Sequence, residues 1–332
     1  MTSDEREITS PIDLCRPDGT LDPAAVGWSR TPLHRCGLRG WGRGKRWEYW
    51  CLTTPEHLIA ITVSDLDYLA LTSVYFLRYG GTEIERTAVA PLGRGVRLPD
   101  SLDGADITVR GRVNAAILRD PEGTRLRVAC DTPEGPLKAD LLVESPPGHE
   151  TLSVVIPWSA RRFQYTSKHT ARPASGTVTL GGASYDFAGA WGTLDHGRGR
   201  WPYDTLWNWG AASGRSDGRT VGLQFGGKWT AGTGMTENAL CVDGRLSKIG
   251  EELVWEYGDF TEPWRITAPA SGEVDLVFTP FHERTARINA GVLLNDTHQC
   301  FGHYSGTVRP DGGDELRVDG LLGWAEQVHM RW

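Results

Sequence analysis

Gly272-Glu273-Val274-Asp275-Leu276-Val277-Phe278 alternates, with Val274, Leu276 and Phe278 on one parity and Glu273 and Asp275 on the other. A strand turns successive side chains to opposite faces, so this spacing predicts a β-strand with an apolar face. The same period of two recurs in Leu58-Ile59-Ala60-Ile61-Thr62-Val63, in Ala105 to Val113 and in Thr220 to Phe225, and no run of a dozen residues carries a helical repeat. Asp-Gly steps beginning at Asp18, Asp103, Asp217, Asp243, Asp311 and Asp319 supply hairpin-turn chemistry between such segments. The pattern predicts an all-β protein built of barrels or sandwiches.

A chain of 332 residues accommodates two medium domains. The expected division is 1–165 and 166–332, where Pro157-Trp158-Ser159-Ala160-Arg161-Arg162-Phe163 gives way to the polar run Ser167-Lys168-His169-Thr170 and then Pro173. Ser175-Gly176-Thr177-Val178 recurs as Ser305-Gly306-Thr307-Val308, as the opening and closing strands of one barrel would.

A net charge of −7 without long runs of one sign argues against nucleic acid or an anionic membrane as the main partner. The N-terminal run Met1 to Glu7 is charged, and the longest apolar run, Tyr68 to Leu77, is too short to span a bilayer. A cytoplasmic protein with no integral membrane segment is expected. Six cysteines without a C-x-x-C pair read as reduced and buried. Without an H-x-H, H-E-x-x-H, G-x-G-x-x-G, Gly-Lys-Ser/Thr or G-x-S-x-G signature, neither a metal nor another cofactor is expected, and no hydrolase elbow is signalled.

Chemistry concentrates between Gly189 and Gly210, which hold Trp191, Asp195, His196, Arg198, Arg200, Trp201, Tyr203, Asp204, Trp207 and Trp209 among glycines. Indoles give apolar walls and cation-attracting faces, and glycines let backbones approach closely, which suits a pocket with a few titratable groups. Trp207 and Trp209 share a strand face, whereas Asp195 and His196 would point oppositely if extended. Held against indole, Asp195 would keep its proton near neutrality and act as an acid; alternatively it accepts turn hydrogen bonds from glycine amides. Arg198, Arg200 and Asp204 read either as rim ion pairs or, for Arg198, as a ligand contact. Glu237, in the glycine-rich segment Lys228 to Leu240, is the second candidate acid. Trp191, Arg198, Tyr203, Trp207, Trp209 and Trp229 are the expected lining. Asp65 and Asp67 read as paired carboxylates or a hydrated strand end. Trp41, Trp47, Tyr49 and Trp50 read as core or interdomain packing, with ligand binding as the alternative.

Gly27-Trp28-Ser29-Arg30, Ser64-Asp65-Leu66-Asp67-Tyr68, the Trp191 to Gly210 stretch, Gly226-Gly227-Lys228-Trp229-Thr230, Gly234 to Ala239, Phe278-Thr279-Pro280-Phe281 and Gly323-Trp324-Ala325-Glu326 together resemble domain-of-unknown-function family 2804, a microbial family that brings no reaction with it. More distantly, Asp195-His196-Gly197 and Trp207-Asn208-Trp209-Gly210 resemble elements of lipocalin-like carotenoid hydratases (hydroxyneurosporene synthases). Arg198-Gly199-Arg200 departs from the Asn-Trp pair of that pattern. The resemblance implies two tandem lipocalin-like (calycin-type) antiparallel β-barrels and acid-catalysed chemistry on alkenes.

The resulting expectation is a cofactor-independent lyase, isomerase or cyclase acting on an unsaturated, polyketide- or terpenoid-like hydrophobic molecule, with the pocket chiefly in the C-terminal barrel. Asp195 would donate the proton, His196 would orient or relay it, and Glu237 stands as the other acid. The alternatives are a non-catalytic carrier of a hydrophobic ligand and a carbohydrate-active enzyme using Asp195 and Glu237.

Overall fold

The computed structural model describes residues 5–332, so Met1 to Asp4 of the charged N-terminal run lie outside the described residues. Those residues form strands joined by turns, with a single 3-10 turn at Pro23–Ala25 and no α-helix among them. No described helix is long and apolar enough to cross a membrane. All six cysteines are free.

Two large antiparallel sheets carry the fold, matching the two tandem lipocalin-like barrels expected. The path of the first runs Glu83–Pro91, Leu69–Arg78, His57–Asp65, Lys45–Thr53, Ala190–Arg200, Arg162–Leu180, Gly135–Glu144, Gly123–Thr132, Val113–Asp120 and Ile107–Val109. The second runs Arg245–Ile249, Asn238–Val242, Arg219–Gly227, Asp204–Ser216, Leu316–Arg331, Leu294–Val308, Val274–Asn289, Trp264–Thr267 and Val254–Glu256. The chain passes from the first sheet to the second between Arg200 and Asp204. Positions 165 and 166, where the sequence suggested a division, lie inside the strand Arg162–Leu180.

Each sheet curls around its own core. Val274, Leu276 and Phe278 enter the second core with Trp264 and Tyr304, and Asp275 and Val277 stay exposed. Side chains fully withdrawn from water in this way contribute roughly 1.5–3 kcal/mol each before entropy is counted. The run Leu58 to Val63 is buried on both faces. Ile59, Ile61 and Val63 enter the first core, while Leu58 and Ala60 pack with Trp209, Phe301 and Trp324 between the sheets. The sheets therefore meet through outward faces that are themselves apolar. Arg162–Leu180 and Ala190–Arg200 of the first lie against Asp204–Ser216 of the second.

Local chemistry explains the punctuation. Asp217-Gly218 and Asp243-Gly244 both have two consecutive positive φ values, the type I′ geometry that turns a tight hairpin. Ala105 to Val113 is not one strand; it doubles back through Arg110 to Arg112 into the Val113–Asp120 strand. The Ser-Gly-Thr-Val repeat falls once in each sheet rather than twice in one barrel. Gly176 and Gly306 have φ of 135° and 138°, and a Cβ on either would overlap the carbonyl oxygen of Asp140 or Asp275 on the neighbouring strand. The repeat marks the same glycine kink in both sheets.

Candidate active site between the two sheets

A cavity of about 310 Å³ lies between the sheets and draws its wall from both. Tyr49 and Trp47 come from Lys45–Thr53, Gln164, Thr166 and Lys168 from Arg162–Leu180, and Asp195 from Ala190–Arg200. The second sheet supplies Trp207 and Trp209 from Asp204–Ser216 and Glu326 from Leu316–Arg331; Glu237 stands just before Asn238–Val242. The pocket is thus shared, whereas the sequence reading had placed it chiefly in the C-terminal barrel.

Strand parity selects these residues. Gln164, Thr166 and Lys168 alternate with Phe163, Tyr165 and Ser167, and Lys168 is the register partner of Asp195. Its Nζ lies 2.9 Å from Asp195 Oδ1, 3.2 Å from Glu237 Oε1 and 4.2 Å from the centroid of the Trp209 ring. Trp47 Nε1 donates to Asp195 Oδ2 at 2.9 Å, and Thr166 Oγ1 donates to Oδ1 at 3.3 Å. Gly226, the register partner of Trp209, makes room for Glu237: a Cβ there would lie 2.7 Å from Oε2. Glu326 accepts from Trp207 Nε1 at 3.2 Å and from Gln299 Nε2 at 3.0 Å.

Burial pulls the Lys168 ammonium down, but the charges and hydrogen bonds of Asp195 and Glu237 outweigh it and hold Lys168 above its ordinary range. Burial pushes the Glu237 carboxyl up to about 7, against the pull of Lys168 and with a further push from Asp195. Burial likewise raises Glu326 to about 7, against its Trp207 hydrogen bond and Lys168. Near neutral pH, Glu237 and Glu326 therefore divide between protonated and ionised forms, which is what a proton donor working at that pH needs. The side chains around Asp195, Trp47, Thr166 and Lys168, are all donors, so its oxygens are set up to accept.

One polar group on this wall, the amide nitrogen of Gln164, has no hydrogen-bond partner among the described residues. The Gln164 oxygen is taken by Trp201 Nε1 at 2.7 Å. The indoles form a connected lining: Trp201 stacks on Trp229 at 5.0 Å and packs against Trp207 at 5.5 Å, and Trp332 closes on Trp207 at 6.4 Å.

Of the residues expected from sequence, Asp195, Glu237, Trp207, Trp209 and Trp229 are on the cavity. His196 and Arg198 are not, because the parity that turns Asp195 outward turns them into the first sheet. Arg198 donates there to the carbonyls of Pro99 and Trp47. His196 Nδ1 lies 3.5 Å from Glu48 Oε1, and burial together with Arg198 lowers the ring to about 4, leaving it neutral at pH 7. Burial pushes Glu48 up, but His196, Arg119 and Arg198 outweigh it and hold the carboxyl down at about 2. Trp191 shares the face of Asp195 but sits about 13 Å along the strand, at a separate cleft with Pro147 and Gly244. Tyr203 is exposed and donates to the Val292 carbonyl. Arg200 donates to the carbonyls of Gly19 and Arg39, and Asp204 pairs with Arg331 and His329. Asp65 and Asp67 both receive Arg46, at 3.6 and 2.7 Å. Trp47 and Tyr49, read from sequence chiefly as packing residues, also line the cavity, whereas Lys168, Gln164, Gln299 and Glu326 were given no site role from sequence. Among the described residues, no group of three His, Cys, Asp or Glu side chains is placed to hold a metal.

Residues 5–332 match the domain of unknown function DUF2804. The chain belongs to that family. The fold is similar to the crystal structure of a putative AttH from Nitrosomonas europaea, with a TM-score of 0.51 and 15% identity over 96% of this chain and 98% of that one. It is also similar to kievitone hydratase from Nectria haematococca, with a TM-score of 0.50 and 11% identity over 87% and 89% of the two chains. A structure of CghA with Sch210972 follows at a TM-score of 0.48 and 12% identity, over 87% and 88%. The likenesses to the AttH and kievitone hydratase structures describe the shared fold of this DUF2804 member. No curated protein sequence matches the chain.

Proposed function

We propose that this DUF2804 protein is a hydratase-like acid–base lyase or isomerase, acting on an unsaturated, oxygen-bearing apolar molecule in the cavity between the sheets. The observation that carries the reading is the Lys168 ammonium held between Asp195 and Glu237 beneath the Trp209 face. Glu237, raised to about 7, is the proton donor. In the hydration direction its proton passes to an alkene carbon, and the π pair forms the C–H bond. The cationic carbon left behind faces indole and carboxylate, which stabilise positive charge. Water adds its oxygen to that carbon and gives up a proton to Asp195. Lys168 then hands one proton to Glu237 and takes one from Asp195, restoring the starting state with water and alkene converted to alcohol. Dehydration runs the same steps backwards, and loss of a carbon-bound proton in place of water addition gives isomerisation.

The unpartnered Gln164 amide supports an oxygen on the substrate, and the tryptophan wall supports a polyketide- or terpenoid-like body. A kievitone hydratase of similar fold is consistent with a hydration reaction. The test is to identify by mass spectrometry the small molecules that co-purify with the protein, and to follow their conversion in D2O. Wild-type protein should place one deuterium on carbon, and Glu237→Gln should still bind but turn over about 10²-fold more slowly or worse. Tight binding with no conversion by wild-type protein would instead make it a carrier.

A further inference from the structure

The first sheet contains a second polar site on the face opposite Lys168. The pairing of Arg162–Leu180 with Ala190–Arg200 shifts register between His169 and Arg172, and Ala171 there has φ of 55° and donates its N–H to Ser213 Oγ at 2.9 Å. A bulge of this kind re-aims side chains. It brings both His169 and Arg172 onto a pocket of about 260 Å³ beside the first core, with Arg119 on the same wall.

Arg172 is 7% exposed, yet its one recorded hydrogen bond is from Nη1 to the Glu144 carbonyl at 3.4 Å, and its Nε has no partner. Among the described residues no carboxylate pairs with it. Arg119 gives one nitrogen to Glu48 at 2.7 Å, and its Nε is likewise unpartnered. His169 accepts from or donates to Ser167 at 3.2 Å. Burial, together with Arg172 and other neighbouring cations, drives it well below its ordinary range, so it stays neutral. Burial of an arginine without a counter-charge is destabilising, and a natural chain keeps one where a bound anion completes it.

We propose that this pocket binds a small organic monocarboxylate, its carboxylate on the Arg172 and Arg119 guanidinium groups and its apolar body against Trp50, Leu102, Val143 and Leu194. Guanidinium nitrogens match a carboxylate in a planar two-point contact. The apolar part of the wall belongs to the first core and suits a hydrocarbon body. Asp103, Asp120 and Glu144 also line the pocket. None of them forms an ion pair with the arginines, and their charge disfavours polyanions such as phosphate. The site is separate from the cavity of Asp195 and Glu237, so this inference stands whether or not that cavity is catalytic.

The experiment is calorimetric titration of the full chain with phenylacetate, phenylacetamide and inorganic phosphate, paired with melting curves. Phenylacetate should bind wild-type protein and raise its melting temperature, and the neutral amide and phosphate should bind about tenfold or more weakly. Arg172→Met should melt no lower than wild type without ligand, since it removes an unpaired buried charge, and should lose the phenylacetate-dependent rise. Arg172→Lys, which keeps charge but not the planar contact, should bind about tenfold more weakly. Equal binding of phenylacetate and its amide would overturn the proposal. So would phenylacetate binding that survives Arg172→Met, or binding lost in Trp209→Ala but kept in both Arg172 variants.

Discussion

Asp195 and His196 are consecutive residues whose side chains open into different compartments, the carboxyl into the cavity between the sheets and the imidazole into the interior of the first sheet. A relay between them is therefore closed by the strand itself. His196→Ala should lower stability by ~2 kcal/mol or more through the hole it leaves, and should leave turnover and its pH profile near wild type. Urea unfolding and steady-state kinetics on the same preparation separate the two effects.

Lys168 bridges two buried carboxyls, so Lys168→Met leaves both without their cation. Breaking such a pair from one side costs about 3–5 kcal/mol. The loss should be larger at pH 8 than at pH 5: Lys168 holds the raised Glu237 pKa down, so without the ammonium Glu237 keeps its proton still more tightly in the folded chain than in the unfolded one, and that stabilisation is present at low pH and lost as pH rises. Denaturant titrations at the two pH values measure this difference directly.

Glu237 carries the same sign in the wild-type protein. Its folded pKa of about 7 lies above the ordinary value of 4.5, so the folded state binds the extra proton between those two limits and loses stability as pH climbs through them. Glu237→Gln does not titrate. Relative to wild type it should gain up to a few kcal/mol on going from pH 5 to pH 8, read from melting temperatures at matched salt. A constant offset across that range would show that Glu237 does not hold its proton.

Gly197 follows His196, and a Cβ there would overlap the Trp47 indole that donates to Asp195. Gly197→Ala should push Trp47 off the carboxyl, cost about 1–3 kcal/mol of stability, and lower turnover. A changed near-ultraviolet circular dichroism signal would report the moved indole.

The all-β architecture was legible because strands such as Val274–Asn289 begin with clean alternation and because the Asp217 and Asp243 turns carry the residues that positive φ demands. Trp207, Trp209 and Glu237 were legible for the same reason: parity and glycine spacing are local. What parity cannot show is which of two buried faces looks at the partner sheet. Parity set His196 opposite Asp195 but left open which of the two faces the partner sheet, so His196 and Arg198 stayed candidates beside Asp195. Lys168 was missed because Ser167 to Thr170 looked like a linker; its polar side chains are a buried wall alternating between two interiors. Glu326 entered only as part of the Gly323-Trp324-Ala325-Glu326 motif, since its place beside Trp207 depends on a pairing of strands more than a hundred residues apart.

The most direct measurement of the proposed chemistry is infrared difference spectroscopy of the carboxyl C=O stretch between pH 5 and pH 9, for wild type and Glu237→Gln. A protonated-carboxyl band that disappears with a midpoint near 7, and that is diminished in Glu237→Gln, is the expected result. A wild-type spectrum with no protonated carboxyl above pH 6, or a band unaltered in Glu237→Gln, would contradict Glu237 as the proton donor.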